Sequence, residues 1–416
     1  MDQVVLSGLG AITPVGNDRE TTWEALLAGK SGIGPITSFD ASRLPVRIAG
    51  EITDFDPAAV LEARRLRRTA RYSQLAIAAA REAVADAGVV IDADNAGRVG
   101  VVVNNAVAGM GETEQGVRAM LGADADESRK VGPYFVSSVI PNMAACEVAI
   151  DLGAHGPVTA SALACASGNY ALLEARRLIL AGEADIVVAG GTDSSITELM
   201  FEGLCTMGAL SRRNDEPQLA SRPFDADRDG FVFSEGAVVA VLESAEHARA
   251  RGVTPYAEVA GGALTADAFH VSAPEPSGSY AAEAIRQAIS RCDVDPADID
   301  YICAHGTSTK ANDRTETAAM HAALGAEAHR RAISSPKSMV GHLIGAAGAL
   351  SAMVSALAIR DQVVPPTINL TTPDPECDLD YVAEGARALP VDTALVSAFG
   401  FGGQNCVVVL KQVHDR

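Results

Sequence analysis

The chain has 416 residues, 48% of them hydrophobic, and a formal charge of −20. That length supplies ample core for two domains or one duplicated domain, while the acidity excludes a general affinity for nucleic acid or anionic membrane. Seven cysteines, at positions 146, 165, 205, 292, 303, 377 and 406, are odd in number and lack Cys-x-x-Cys spacing, which argues against a disulfide framework or a zinc site.

In chain order, apolar β-rich runs at 3–9, 98–104, 156–162, 185–190 and 237–242 predict strands, separated by helical stretches such as 73–87 and 170–181. From Tyr256 a comparable cycle begins. It predicts a strand near 257–260, a helix near 280–291, strands at 301–304 and 394–397, and a last strand at 406–410. Such alternation predicts an α/β protein with largely parallel sheets flanked by helices, although repetition between the halves is too faint to demonstrate from sequence. No run of about 18 consecutive apolar residues is found, and the chain opens directly on a strand-like run. Neither a spanning helix nor a signal peptide is supported, and a soluble, cytoplasmic protein with reduced thiols is expected.

Three segments carry candidate chemistry. Around Cys165, the small residues Ala160 to Gly168 precede a helix-forming stretch beginning at Ala171, which reads as strand, tight turn and helix with the sulfur at the helix N-terminus. Unpaired N–H groups and the helix dipole favour thiolate there, the form that attacks. A buried structural cysteine is the other reading of such a residue. His305 ends a short apolar run and opens the Gly306-Thr307-Ser308-Thr309 loop, the kind of strand end where crevices form. His342 lies in the Gly-rich run from Lys337 to Gly348, ahead of a helix of small residues. Each histidine taken alone could be structural, but both sit in Gly-rich turns rather than on amphipathic faces. A fourth segment, Glu62 to Arg71, packs five arginines into about three helical turns of an acidic protein. Read from its residues alone, it is a solvated helix face with i,i+4 partners.

Taken together, in the order Cys, His-Gly-Thr, then Lys with Gly-His, the chain resembles the elongating beta-ketoacyl-[acyl-carrier-protein] synthases of the thiolase superfamily. Matching segments run from Val4–Gly16 through Ala220–Ala237 and Val363–Leu370 to Ser397–Asn405, so the likeness covers essentially the whole chain. The resemblance implies a thiolase-like fold of two similar halves, 1–250 carrying the nucleophilic cysteine and 251–416 carrying the two histidines, layered α-β-α-β-α, and a dimer. It implies that Cys165 takes an acyl chain from a carrier-protein thioester and that a malonyl-type extender then loses carbon dioxide and attacks it. His305 and His342 would donate hydrogen bonds to the thioester oxygen where the enolate charge develops. The N–H groups of Cys165 and Phe399 would form the oxyanion hole, with Phe399 also at the gate position.

Lys337 and Glu316 match a buried charged pair, Lys337 setting the electrostatics around His305 rather than acting as base. The phosphopantetheine arm of the acyl carrier protein would pass Thr307, Thr309 and Ser272, while Val107, Tyr134, Phe135 and the region of Phe201 would line the acyl pocket. Arg64, Arg67, Arg68 and Arg213 would dock the carrier protein. Neither metal nor tightly bound cofactor is implied.

Two departures are Ala166 and Gln404, where the family commonly has Thr. The segments Arg213–Pro217, Asn312–Ala319 and Pro373–Tyr381 look closest to the catalytic ketosynthase subunit of type II polyketide systems, which would work as a heterodimer with a chain-length-factor subunit. Primary fatty-acid elongation by a homodimer is the alternative. Cys165 with both histidines opposes a non-catalytic chain-length factor. The Phe399-to-Gly403 turn opposes a degradative thiolase, and an initiating synthase typically has Asn in place of His342.

Overall fold

The computed structural model describes residues 3–121 and 131–414. Its first half contributes strands β1 (Val4–Ile12), β2 (Val99–Asn104), β3 (Val158–Thr159), β4 (Ile186–Asp193) and β5 (Gly236–Ser244). The second contributes β6 (Ala257–Ala266), β7 (Tyr301–Cys303), β8 (Ala332–Ser334), β9 (Thr393–Gly400) and β10 (Gln404–Lys411). The spatial order is β8-β7-β9-β10-β6-β1-β5-β4-β2-β3.

Each half repeats one topology. Numbered within its own half, each sheet runs third, second, fourth, fifth, first strand. In both, the pairings from the first strand outward are antiparallel, antiparallel, parallel and parallel. The halves meet where β1 pairs with β6 over only Val5↔Glu258 and Leu6↔Ala257. The duplication that the residues themselves conceal is therefore explicit in the hydrogen bonding.

Six helices complete the layers: α1 (Arg71–Asp86), α2 (Met143–Leu152), α3 (Ser167–Leu180), α4 (Ser279–Arg291), α5 (Lys310–Leu324) and α6 (Ala347–Asp361). Helices α1 and α2 bury alanine-rich faces on the outside of the first sheet, and α4 and α5 do the same on the second. Between the sheets lie α3 and α6, the five-layered α-β-α-β-α arrangement that was expected. The stretch Ile344–Asp361 has the length and mean hydropathy, 1.3, of a spanning helix, but 89% of it is buried inside the protein as this central layer.

Two predicted elements differ in extent. The run 156–162 forms a ladder only over Val158–Thr159, because Ser161 N–H turns to the Asn104 side chain at 2.7 Å and leads the chain toward Cys165. The strand expected at 257–260 continues to Ala266 through Gly261 and Gly262. A Cβ at Gly262 would lie 2.2 Å from the Val407 carbonyl, so glycine is what lets β10 pass.

The central helices touch backbone to backbone. A Cβ at Gly168 would stand 2.3 Å from Ala349 N, and one at Gly348 2.6 Å from Asn169 N. Asn169 also donates to the Val396 and Cys406 carbonyls at 2.9 and 3.1 Å, pinning α3 to β9 and β10. Gly168→Ala is expected to destabilise the fold by about 1–3 kcal/mol in urea unfolding, through overpacking against rigid backbone. Gly97→Ala, where a Cβ meets nothing within 4 Å, is expected to stay within roughly 0.5 kcal/mol of the parent protein.

Candidate active site

Cys165 lies in the single turn Ala164–Ala166 that runs directly into α3. Ala164 is forced to φ +48°, left-handed backbone that a residue with a side chain rarely adopts. Ser167 fastens the turn, accepting from Leu163 N–H at 2.9 Å and donating to Asn105 O at 3.1 Å. A Cβ at Gly400 would sit 2.8 Å from Leu163 O and 3.2 Å from Cys165 N, so glycine at the end of β9 allows that strand to close over the Cys165 turn.

His305 follows β7, and both oxygens of Glu316 on α5 hold its backbone, accepting from His305 N–H at 2.7 Å and Gly306 N–H at 2.8 Å. His342 is held by its own main chain, its N–H on Val232 O at 2.8 Å and its carbonyl on Ser234 N–H at 3.0 Å. Its Nδ1 accepts the Ile344 N–H at 3.1 Å. A neutral His342 therefore carries its proton on Nε2. That Nε2 is buried without a partner among the described residues, as is His305 Nδ1. The rings stand 5.5 Å apart at 82°. Donor atoms of Cys165, His305 and His342 all fall within 4.8 Å of one another. The three could also grip a thiophilic metal ion, which would occupy the Cys165 sulfur.

Burial dominates the electrostatics. It pushes the Cys165 thiol up to about 11, against the lowering influence of the Lys337 charge and hydrogen bonds from the Phe401 and Cys165 N–H groups. The thiolate-favouring effect expected of the helix terminus is outweighed by desolvation. Burial and then Lys337 hold both imidazoles well below their ordinary value, with His342 adding to the effect on His305. Both are neutral hydrogen-bonding groups at physiological pH. Burial also raises Glu316 to about 7, opposed by its two amide bonds.

The expected Lys337–Glu316 ion pair is not among the salt bridges of the described residues. Glu316 spends both oxygens on the His305–Gly306 backbone, and Lys337, itself 3% exposed, acts on the site through space. A second correction concerns the loop after β9. Phe399 remains in the β9–β10 ladder opposite Asn405, with its ring 5.8 Å from that of His305. The amide that reaches the sulfur belongs to Phe401, whose ring is 40% exposed.

A cavity of about 530 Å³ opens on this cluster. Thr307, Thr309 and Ser272 line it beside Cys165 and the two histidines, and Val107, Met200, Leu204, Phe231 and Phe233 form an apolar wall. The Thr307 and Thr309 hydroxyls bond each other at 3.0 Å. Three expected wall residues are elsewhere. Phe201 is fully buried behind the wall, edge-on to Phe233 at 5.7 Å. Tyr134 is 46% exposed, and Phe135 packs against Gly116.

The arginine segment divides in two. Arg65 pairs with Glu147 and Asp151, and Arg71 with Glu235, so these two are structural. Arg64 and Arg67 are exposed and Arg68 half-buried, and none of the three pairs with a carboxylate among the described residues. Arg213 is partly spoken for by Glu216 at 3.3 Å.

Two supports were not foreseen. Asp193, fully buried at the end of β4, accepts from Ala106, Val107, Ala108 and Gly345 N–H groups at 2.8 to 3.2 Å. It thereby ties the Val107 wall to the turn that follows His342, and burial raises its carboxyl to about 6. A carboxylate closing the apolar run before Ser194 was the available signal. Arg228, also fully buried, joins Asp374 at 2.8 Å and the Thr309 carbonyl at 3.2 Å, fixing the Thr307–Thr309 loop.

Comparison with known proteins agrees with this geometry. Residues 1–248 match the Beta-ketoacyl synthase, N-terminal domain family, and residues 256–371 the Beta-ketoacyl synthase, C-terminal domain family. The chain is 44% identical over 413 residues, 99% of either chain, to 3-oxoacyl-[acyl-carrier-protein] synthase 2 of Coxiella burnetii. It is 46% identical to the protein of that name from Synechocystis, over 99% of this chain and 98% of the other. A solved type II polyketide ketosynthase, in complex with its acyl-carrier protein and bound to a hexaketide, superposes with a TM-score of 0.91 at 34% identity, covering 99% of this chain and 100% of its own. With its duplicated fold and its cysteine facing two neutral imidazoles, the chain belongs to the beta-ketoacyl synthase family of acyltransferases, among the elongating beta-ketoacyl-acyl-carrier-protein synthases.

Proposed function

We propose that this enzyme elongates saturated acyl chains in fatty-acid synthesis, with Cys165 as nucleophile. The carrying observation is the cavity wall. Val107, Met200, Leu204, Phe231 and Phe233 offer an aliphatic chain apolar contact, and none of the five offers a side-chain donor to the carbonyls of a poly-β-keto chain laid along them. The higher identity to the two synthase 2 proteins, 44% and 46% against 34% for the polyketide ketosynthase, supports the same reading and displaces the polyketide assignment that the sequence favoured. The hexaketide-bound relative keeps polyketide extension as the second reading.

The acyl thioester delivered to Cys165 is attacked at its carbonyl carbon. The oxyanion that forms is met by the N–H groups of Cys165 and Phe401, and the carrier thiol leaves. The malonyl thioester then binds with its carbonyl oxygen toward the imidazoles, where His342 presents the Nε2 proton. Loss of carbon dioxide leaves the electron pair as an enolate that these donors stabilise. Neutral rings suit this task, since an enolate needs donors that hold their protons. Attack of the enolate carbon on the acyl-cysteine forms the new carbon–carbon bond and expels the Cys165 thiolate. The charge of Lys337 helps to stabilise that thiolate. Thiol, amides and imidazoles supply each stabilisation in this scheme, and no step calls for a metal or cofactor beyond the phosphopantetheine that carries the substrates.

We place the reaction in the cytoplasm, where the seven free cysteines stay reduced, and propose a dimer. Strand β3 is the sheet edge, and its Val158 and, on the helix α2 packed against it, Ile150 are 37% and 62% exposed, apolar surface suited to a second copy or a related subunit. The carrier protein docks on Arg64, Arg67 and Arg68.

Three outcomes are expected. Alkylation of Cys165 by iodoacetamide, followed by intact mass, should accelerate roughly tenfold per pH unit from pH 7 to 9 without a plateau, because a thiol near 11 gains thiolate throughout that range. In assays with saturated and β-keto acyl carrier proteins plus malonyl carrier protein, the chain purified alone should extend saturated chains by two carbons. Cys165→Ala should form no acyl adduct. Activity only with an added partner subunit, or only with β-keto chains, would instead establish the polyketide reading. Reversing Arg64, Arg67 and Arg68 to Glu should raise KM for acyl carrier protein roughly tenfold or more at low salt with kcat retained, since the loss is one of steering and docking.

A further inference from the structure

We propose that His321, His329 and Asp378 form a divalent transition-metal site on the surface of the second half, separate from the catalytic cluster and independent of the chain-length reading above. His321 occupies the last turn of α5, and His329 lies in the short helix Gly325–Arg330 that follows the bend at Gly325, φ +61°. Asp378 comes from a third segment, about fifty residues further along. The three donor atoms lie within 4.8 Å of one another. The rings are 4.9 Å apart, and His321 Nε2 is 2.6 Å from Asp378 Oδ1.

A tetrahedral ion with bonds of about 2.0–2.2 Å wants its donors roughly 3.3–3.5 Å apart, so modest side-chain rotation admits it between the imidazoles and the carboxylate. The backbone already holds the donors outward. Met320 and Leu324 anchor the inner face of α5, Ala328 is buried beside His329, and Cys377 and Leu379 point inward on either side of Asp378. The acidic segment is further fixed by Cys377 N–H on Asp374 O at 2.8 Å and by Asp380 O accepting Ile333 N–H at 2.9 Å. The nearest cations on the short helix, Arg330 and Arg331, are held by Glu327 at 2.9 Å.

Two imidazoles and one carboxylate suit Zn²⁺, Co²⁺ or Ni²⁺, with water completing the shell, and not Mg²⁺ or Ca²⁺, which take oxygen ligands. The site crosslinks three segments at the far end of the helix whose Glu316 holds His305, about 7.5 Å away along the axis. Occupancy would therefore stiffen the support of the catalytic histidine and stabilise the fold by mass action.

The test compares the full chain with His329→Ala and Asp378→Asn, each loaded with Co²⁺, dialysed and assayed for bound metal, absorbance and melting temperature with and without Zn²⁺. The parent protein should retain one equivalent that both variants lose or bind roughly tenfold or more weakly. Its melting temperature should rise by a few degrees with Zn²⁺ while theirs does not. Metal-free variants should match the parent in unfolding and in condensation rate. Equal retention by all three proteins overturns the site, above all if a thiolate-to-cobalt charge-transfer band places the ion on Cys165. Failure of the parent to retain metal overturns it too.

Discussion

The cluster of Cys165, His305 and His342 depends on how closely two helices can approach. The central layer consists of α3 and α6, one from each half, and they meet where Gly168 faces Ala349 and Gly348 faces Asn169, with no room for a Cβ on either glycine. Cys165 is three residues ahead of the first glycine and His342 six ahead of the second. A backbone contact thus carries the cysteine turn of one half onto the histidine turn of the other. His305 arrives from β7 of the second sheet, so three residues far apart in sequence converge on one point. Duplication supplies the two equivalent helix starts, and glycine lets them touch.

The same burial that assembles the cluster sets its protonation. Removing water raises the cost of every charge, so the thiol is held up near 11 and the imidazoles stay neutral. The proposed roles place opposite demands on one environment, because a nucleophile benefits from charge and an enolate-stabilising donor from its absence. Lys337 mediates between them. Its charge favours thiolate on Cys165 and disfavours imidazolium on His305 and His342, while burial works against that charge itself. That explains why it stands near Glu316 without a direct pair. Locked to a carboxylate, its field would be cancelled, and Glu316 would lose the two amides by which it positions His305.

Residues whose chemistry is local were legible in the sequence. Cys165, His305 and His342 each sit in a short segment of small residues that announces a turn, and the strand-helix alternation gave the layers. What the sequence concealed depends on register and distance. Phe399 and Phe401 share a motif of alternating glycines, and only the hairpin pairing of Phe399 with Asn405 leaves the Phe401 amide to reach the sulfur. Phe201 looked like pocket lining, yet it stands one layer back, behind Phe233. Asp193 had no motif at all. Its role exists only because four amides from two distant segments converge on it.

Charge divides along similar lines. The net charge of −20 is largely screened from an acidic partner beyond about a Debye length, roughly 8–10 Å at physiological ionic strength. Inside that distance, local charge decides. The arginine segment answers by splitting its labour. Arg65 and Arg71 are neutralised by Glu147, Asp151 and Glu235 and so anchor the segment to the first half. Arg64, Arg67 and Arg68, without carboxylate partners among the described residues, retain an outward field. Had all five been paired, the segment would be rigid and electrically silent. Had none been paired, their mutual repulsion would work against the short helix Ala63–Leu66, which holds Arg64 and Arg65 and is capped by Arg67. A positive patch anchored by its own neighbours is what the proposed docking of a carrier protein on this acidic enzyme requires.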